Sequence, residues 1–244
     1  MGSKKFRGKT CVYCTTQLSE TADHVVSRSF FPKDLRAGIP KVPSCAKCNS
    51  DKSALEHYLS AFLPVGSPTD TAQAVREQDV ERRLKRNQKL ARELKFAAGI
   101  RWVKDHSGLF LPELKLPLNA DFVEALFSMI GRGLIWYHFD ELLEDSCHVE
   151  ARALTTFGEE KIKRQFFSSL DKCVYDDIGN GGFQYVGQSA AENPKITMWL
   201  MRFYSGVKFE EMTGDQESQC MLVTSGPKRV YEKAKLAAAF GVRA

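Results

Sequence analysis

The stretch Val42-Pro43-Ser44-Cys45-Ala46-Lys47-Cys48-Asn49-Ser50-Asp51-Lys52 joins a Cys-x-x-Cys knuckle, an asparagine directly behind it and the opening of a helix. That helix is expected over Ser44 to Leu59, running through Lys52-Ser53-Ala54-Leu55-Glu56-His57-Tyr58-Leu59. Upstream lies a second pair, Cys11 and Cys14. Four thiolates in two such pairs can close a tetrahedral zinc site. The N-terminus has charge but no apolar run behind it, so no signal peptide is expected and the default address is the cytoplasm. In that setting paired cysteines read as metal ligands rather than disulfides. The spacer from Cys14 to Cys45 is longer than the roughly 15 to 20 residues of a simple zinc ribbon. It carries Ala22-Asp23-His24-Val25-Val26, an acid and a histidine side by side in an expected strand. One zinc therefore fixes both the helix that presents Asn49 and the strand that presents Asp23 and His24. The other three of the seven cysteines, Cys147, Cys173 and Cys220, are scattered and read as small buried hydrophobes.

Asp-His between zinc knuckles, then Cys-x-x-Cys-Asn with a lysine three further on, resembles the HNH endonuclease family. The phage Holliday-junction resolvases with a four-cysteine zinc are similar in placing asparagine directly after the last cysteine. Bacterial HNH proteins reading Val-Pro-x-Cys-x-x-Cys-Asn are similar to residues Val42 to Asn49. The resemblance covers about Cys11 to Leu59. It implies a zinc-stapled ββα-metal module in which Cys11, Cys14, Cys45 and Cys48 hold structural Zn²⁺. Asp23 and Asn49 would hold one catalytic Mg²⁺ or Mn²⁺, hard cations suited to carboxylate and amide oxygens. His24 would be the general base, since an imidazole with an ordinary pKa of about 6.5 is mostly neutral near pH 7. The bland alternative makes His24 a buried polar residue holding the hairpin.

Glu56 lies seven residues after Asn49, on nearly the same helical face. It is a further candidate for the catalytic metal or for orienting His24, with a structural ion pair the commoner outcome for such a residue. Arg28, Lys47 and Lys52 flank the motif as candidate phosphate contacts, against the reading of solvated surface cations. Two features depart from a simple fit. The region Gly38-Ile39-Pro40-Lys41-Val42-Pro43 has no asparagine where the family braces its loop. Neighbours in a strand also point to opposite faces, so Asp23 and His24 share one site only if the hairpin bends or the ligand acts from the strand edge.

Outward from this block, charge divides the chain. The net +5 is a balance of +10 over residues 1–104 and −5 over residues 105–244. A basic half implies a polyanion partner, DNA first with RNA left open, or else only a solubilising surface. Pro64-Val65-Gly66-Ser67-Pro68 reads as a turn, with Thr69 or Asp70 capping a helix that continues to about Ala98. Between Arg76 and Lys104 there are 10 Lys/Arg against 4 Asp/Glu, so this helix either lies along phosphates or serves as a solvated connector. Beyond it, Leu109 to Pro117 reads as extended and Asp121 to Phe139 as an apolar helix. Strands are expected at Cys147 to Phe157, Gly182 to Val186, Trp199 to Phe209 and Gln219 to Val223, with a turn at Gly179-Asn180-Gly181-Gly182. A short helix is expected at Val230 to Phe240. No run of about 18 apolar residues exists, so no membrane partner is expected.

The expected fold is α+β in three parts. Residues 1–65 form the nuclease module, 66–104 a basic helical connector, and 105–244 a second α+β domain for substrate recognition, homo-oligomerisation or docking of a partner protein. The expected function is metal-dependent hydrolysis of phosphodiester bonds in DNA, with a phage or antiphage defence role suggested by analogy alone. The alternative is a non-catalytic zinc module that binds nucleic acid or protein. A redox role for Cys-x-x-Cys would need a βαβ context that neither pair has.

Overall fold

The structure, a computed structural model, describes residues 4–104, 107–116, 118–167, 173–205, 207, 209–210 and 217–229. The expected helix at Val230 to Phe240 lies outside them. The fold is α+β. It begins with a two-stranded antiparallel hairpin, β1 (Thr21–His24) and β2 (Lys41–Ser44), followed by the helix α1 (Ala46–Phe62). Register in the hairpin pairs Thr21 with Ser44, Asp23 with Val42 and His24 with Lys41. The helix starts where the second knuckle predicts, because Cys45 is its N-cap and its sulfur accepts from the Cys48 amide at 3.5 Å.

The charged stretch is broken where one continuous helix was expected. Thr69 caps α2 (Asp70–Val75), a π-turn follows over Arg76–Val80, and α3 (Glu81–Arg86) ends at Asn87. Asn87 caps α4 (Gln88–Ala97) by accepting from the Leu90 amide, so its side chain restarts the helix in a new direction. The last residues of the expected connector are a strand: β3 (Gly99–Lys104) pairs with β4 (Phe110–Lys115) in an isolated hairpin. Leu90 buries against Ala61 and Phe62, which fastens α4 to the end of α1.

The apolar helix α5 (Ala120–Phe139) is the centre of the molecule. After it come β5 (Cys147–Ala153), α6 (Thr156–Phe166), β6 (Val174–Ile178), β7 (Phe183–Ala190), β8 (Asn193–Phe203), the short pair β9 (Phe209–Glu210) and β10 (Glu217–Ser218), and β11 (Met221–Pro227). The main sheet is antiparallel in the order β5-β11-β8-β7-β6. The expected strand through Phe157 stops at Ala153, because Thr155 caps α6 instead. Of the expected Trp199–Phe209 strand only Trp199 to Phe203 is strand, as the second half of β8, and Phe209 opens the separate β9; the first half of β8, Asn193 to Met198, is more polar and lies outside the expectation.

Helix α5 packs on both the sheet and the zinc-end hairpin. A Cβ on Gly131 would stand 2.7 Å from Val223 of β11, and one on Gly133 would stand 3.0 Å from Val25. A side chain at Gly131 would force Val223 to shift, and one at Gly133 would press on Val25, so the two glycines let the helix approach both layers closely. A single contiguous buried cluster runs from Cys11, Val25, Phe30 and Phe31 through Leu126, Ile130 and Leu134 to Trp199, Met201 and Val223. Tyr204 donates its hydroxyl to the Phe30 carbonyl at 2.6 Å, and Thr71 donates to the Asn180 carbonyl at 2.7 Å. Among the described residues, this cluster therefore joins side chains from before residue 65 and after residue 104.

Candidate functional site

Four sulfurs converge at one end of the hairpin. Cys11, Cys14, Cys45 and Cys48 have ligand atoms all within 4.8 Å of one another, and Cys14 Sγ stands 3.9 Å from Cys45 Sγ. A tetrahedral zinc with bonds of about 2.3 Å needs sulfurs roughly 3.8 Å apart, so the donor set fits. Cys45 Sγ sits at the amino end of α1 and accepts the Cys48 backbone N–H there. Burial works against ionisation of Cys14, but the Thr16 hydroxyl and the Thr16 and Gln17 amides outweigh it and bring that thiol down to about 6. Among the described residues this is the one cluster of His, Cys, Asp or Glu side chains able to hold a metal.

The zinc end positions a polar face between β1 and α1. Thr21 and Asp23, two apart on β1, share one side of the strand. Asn49, Lys52 and Glu56 line the facing stripe of α1, at helical spacing. Asn49 Nδ2 donates to Thr21 Oγ1 at 3.1 Å, and Thr21 Oγ1 donates to the Ser44 carbonyl at 3.1 Å. With its amide nitrogen engaged, Asn49 keeps its carbonyl oxygen for another partner.

Lys52 is fully buried, and its ammonium meets three oxygens: Asp23 Oδ2 at 3.0 Å, Glu56 Oε1 at 2.5 Å and the His24 carbonyl at 2.8 Å. An ammonium has three N–H donors, so this set satisfies it. Tyr13 donates its hydroxyl to the same Asp23 Oδ2 at 2.7 Å, and its ring lies 5.9 Å from the Lys52 nitrogen. Burial, with the Asp23 charge adding, holds the Tyr13 phenol well above its usual range, so it stays a donor. Burial likewise pushes the Glu56 carboxyl up to about 7, Lys52 opposing and Asp23 reinforcing. Both recorded donors to Asp23 use Oδ2.

One sequence expectation changes here, and a second takes its commoner outcome. Lys52 is not a surface cation for phosphate, since its charge is spent inside the module on Asp23 and Glu56. Glu56 takes the ion-pair outcome: its carboxylate is buried against Lys52 rather than open to a metal. Lys47 is exposed and paired with Asp51 at 2.6 Å, and Arg28 is exposed at the start of a 3-10 turn.

His24 lies at the end of β1 opposite Lys41, half-buried, while Asp23 beside it is buried opposite Val42. Among the described contacts its imidazole makes no hydrogen bond. Burial holds its pKa below the usual value, with Lys41 and Arg28 pressing the same way and Asp23 opposing. Lys52 presses the same way, so the ring is mostly neutral at pH 7. Lys41, Tyr13 and Thr21 escaped the sequence reading. Hairpin register would have pointed to Lys41, but register is not visible until both strands are placed.

Protein-family models, curated proteins and solved structures were each compared with the chain, and none of the three comparisons gave a match. The functional reading rests on the chain's own residues.

Proposed function

We propose that this protein is a metal-dependent endonuclease of HNH type that hydrolyses phosphodiester bonds in DNA, with structural zinc at Cys11, Cys14, Cys45 and Cys48. The observation that carries the reading is the facing of β1 and α1 beside the four-cysteine cluster. Among the described residues, one carboxylate oxygen of Asp23 and the carbonyl oxygen of Asn49 have no partner, and a neutral His24 is next in the chain to Asp23. Asp23 and Asn49 would hold a Mg²⁺ or Mn²⁺, which when bound would stabilise charge on the phosphate and on the departing oxygen.

The remaining roles belong to the chain. His24 accepts a proton from water as its oxygen bonds to phosphorus and the bond from phosphorus to the 3′ oxygen breaks. Arg28 and Lys41, exposed cations whose charge acts on the imidazole, draw the phosphodiester toward it and favour the unprotonated ring. Tyr13 and Lys52 hold Asp23 by one oxygen and so fix which way the other faces. Lys47 flanks the site as a weaker phosphate contact. RNA shares the phosphodiester chemistry and is the second candidate substrate. A defence role against phage would suit a DNA-cutting enzyme and rests on analogy alone.

A second reading is favoured by one observation. Asp23 is already neutralised by a buried lysine, as in a module that uses its acid for folding and binds nucleic acid or protein without cutting. Supercoiled plasmid incubated with the protein and Mn²⁺ or Mg²⁺ separates the two. The nuclease reading expects nicked or linear product from the wild type and about 10² to 10⁴-fold less from His24→Ala with zinc and melting temperature unchanged. An inactive wild type, or a His24→Ala protein cutting at full rate, removes it.

A further inference from the structure

The hairpin β3–β4 stands apart from the main sheet and is paired with no other strand among the described residues. It carries large apolar side chains in the open: Ile100 is 71% exposed, Trp102 65% and Phe110 63%. Register sorts them. Trp102 faces Pro112 and Lys104 faces Phe110 across the pair, so Ile100, Trp102, Lys104 and Phe110 share one face. Trp102 and Phe110 are then diagonal neighbours, roughly 7 to 8 Å apart along that face, with Lys104 directly opposite Phe110 and two residues on from Trp102.

An exposed aromatic face of this kind needs a partner to be stable in water. Charge selects which. The hairpin follows directly on α3 and α4, whose Arg82, Lys85, Arg86, Lys89, Arg92 and Lys95 are all exposed. A second copy of the chain would bring the same cations against themselves, whereas a polyanion is attracted. Flat aromatic rings flanked by cations are what unpaired bases and their phosphates require, because every base has a face that stacks.

We propose that the β3–β4 hairpin is a binding arm for an unpaired nucleic-acid strand, with bases stacking on Trp102 and Phe110 and Lys104 on the phosphates between them. This rests on the nucleic-acid reading above but not on catalysis. It gives the nuclease a grip on single-stranded or unpaired substrate.

The test is fluorescence anisotropy of a labelled oligothymidylate of about 20 nucleotides, and of a duplex of the same length, without added Mg²⁺. Trp102→Ala and Phe110→Ala should each weaken single-strand binding about tenfold, and Trp102→Phe should keep most of it. Lys104→Ala should flatten the salt dependence by about 0.7 in log–log slope. Phe157→Ala, an exposed ring on α6, should change nothing. Zinc content and melting temperature should match the wild type in all five variants, since the side chains are exposed. Wild-type affinity in both alanine variants overturns the inference and leaves the nuclease reading standing. The same result with a wild-type dimer turned monomeric assigns the face to self-association and also overturns it. A wild type that binds neither oligonucleotide sinks this inference together with the nucleic-acid reading. Loss of cleavage in His24→Ala with binding intact bears on the nuclease reading alone.

Discussion

Lys52 is the residue on which the hairpin and the helix agree. A buried ammonium is tolerated only with its donors matched, and here Asp23, Glu56 and the His24 carbonyl match all three. Lys52→Met keeps the length of the side chain and removes the charge, leaving Asp23 and Glu56 facing each other in the interior. The expected loss is about 3–5 kcal/mol of stability, read as a lower urea midpoint. Lys47→Ala, on the outer face of the same helix and paired only with exposed Asp51, should leave the midpoint where it is. A Lys52→Met protein as stable as wild type would mean that Asp23 does not depend on it. The sequence could not have separated these two lysines. Both sit beside Cys48, and only the rotation of α1 about Cys45, set by the zinc knuckle, turns one inward. The cysteines themselves were legible, because the Cys-x-x-Cys spacing is dictated by metal geometry alone and needs no tertiary context.

At the scale of elements, the charged stretch after residue 75 shows what a helical pattern conceals. Asp79, in the π-turn, is buried and receives Arg36 at 2.5 Å and Arg82 at 2.6 Å, with Arg83 at 3.8 Å. Arg83 also reaches Ser60 Oγ on α1. This acid tethers the basic helices to the loop after β1, and a sequence window of uniform charge gives no sign of it. Helix caps at Thr69 and Asn87 were partly readable. Thr69 stood before a clear run, whereas Asn87 sat inside an unbroken one and its cap was hidden. The tether carries a pH signature. Burial pushes the Asp79 carboxyl up, but hydrogen bonding and charge from Arg36, with Arg83 and Arg82, outweigh it and hold the group below its usual value. A depressed folded value adds stability above the unfolded pKa of about 3.9 and loses it as pH falls through the folded value. Asp79→Asn should therefore melt well below wild type at pH 7. The gap should close as the pH is taken below about 4. A gap independent of pH would show that Asp79 acts through shape rather than charge.

For the whole molecule, α5 decides how the parts relate. Its apolar run was plain in the sequence, yet nothing in periodicity says that one side meets the hairpin beside the four-cysteine cluster while the other meets a five-stranded sheet. A charge boundary near residue 104 suggested separate domains, and surface charge is blind to the core beneath it. In the structure Val25 packs against Gly133, and Phe31 lies against Gly179 and Gly182 of the turn between β6 and β7. Cys11 and Cys45 belong to the same buried cluster as Trp199 and Val223. Zinc should therefore support the whole chain rather than its first quarter, since metal binding and folding are coupled wherever the ligands are part of the core. Cys45→Ser, or slow chelation of the metal, should lower a single melting transition followed both by tryptophan emission from buried Trp199 in the sheet and by far-ultraviolet dichroism. A fragment of residues 105–244 would expose the faces of α5 and of the 179–182 turn that Val25 and Phe31 cover, and it should be insoluble or molten rather than native. Two separated transitions, with the Trp199 signal indifferent to zinc, would instead mean that the sheet folds on its own. In that case the contacts of Val25 and Phe31 join two finished domains and do not complete one core.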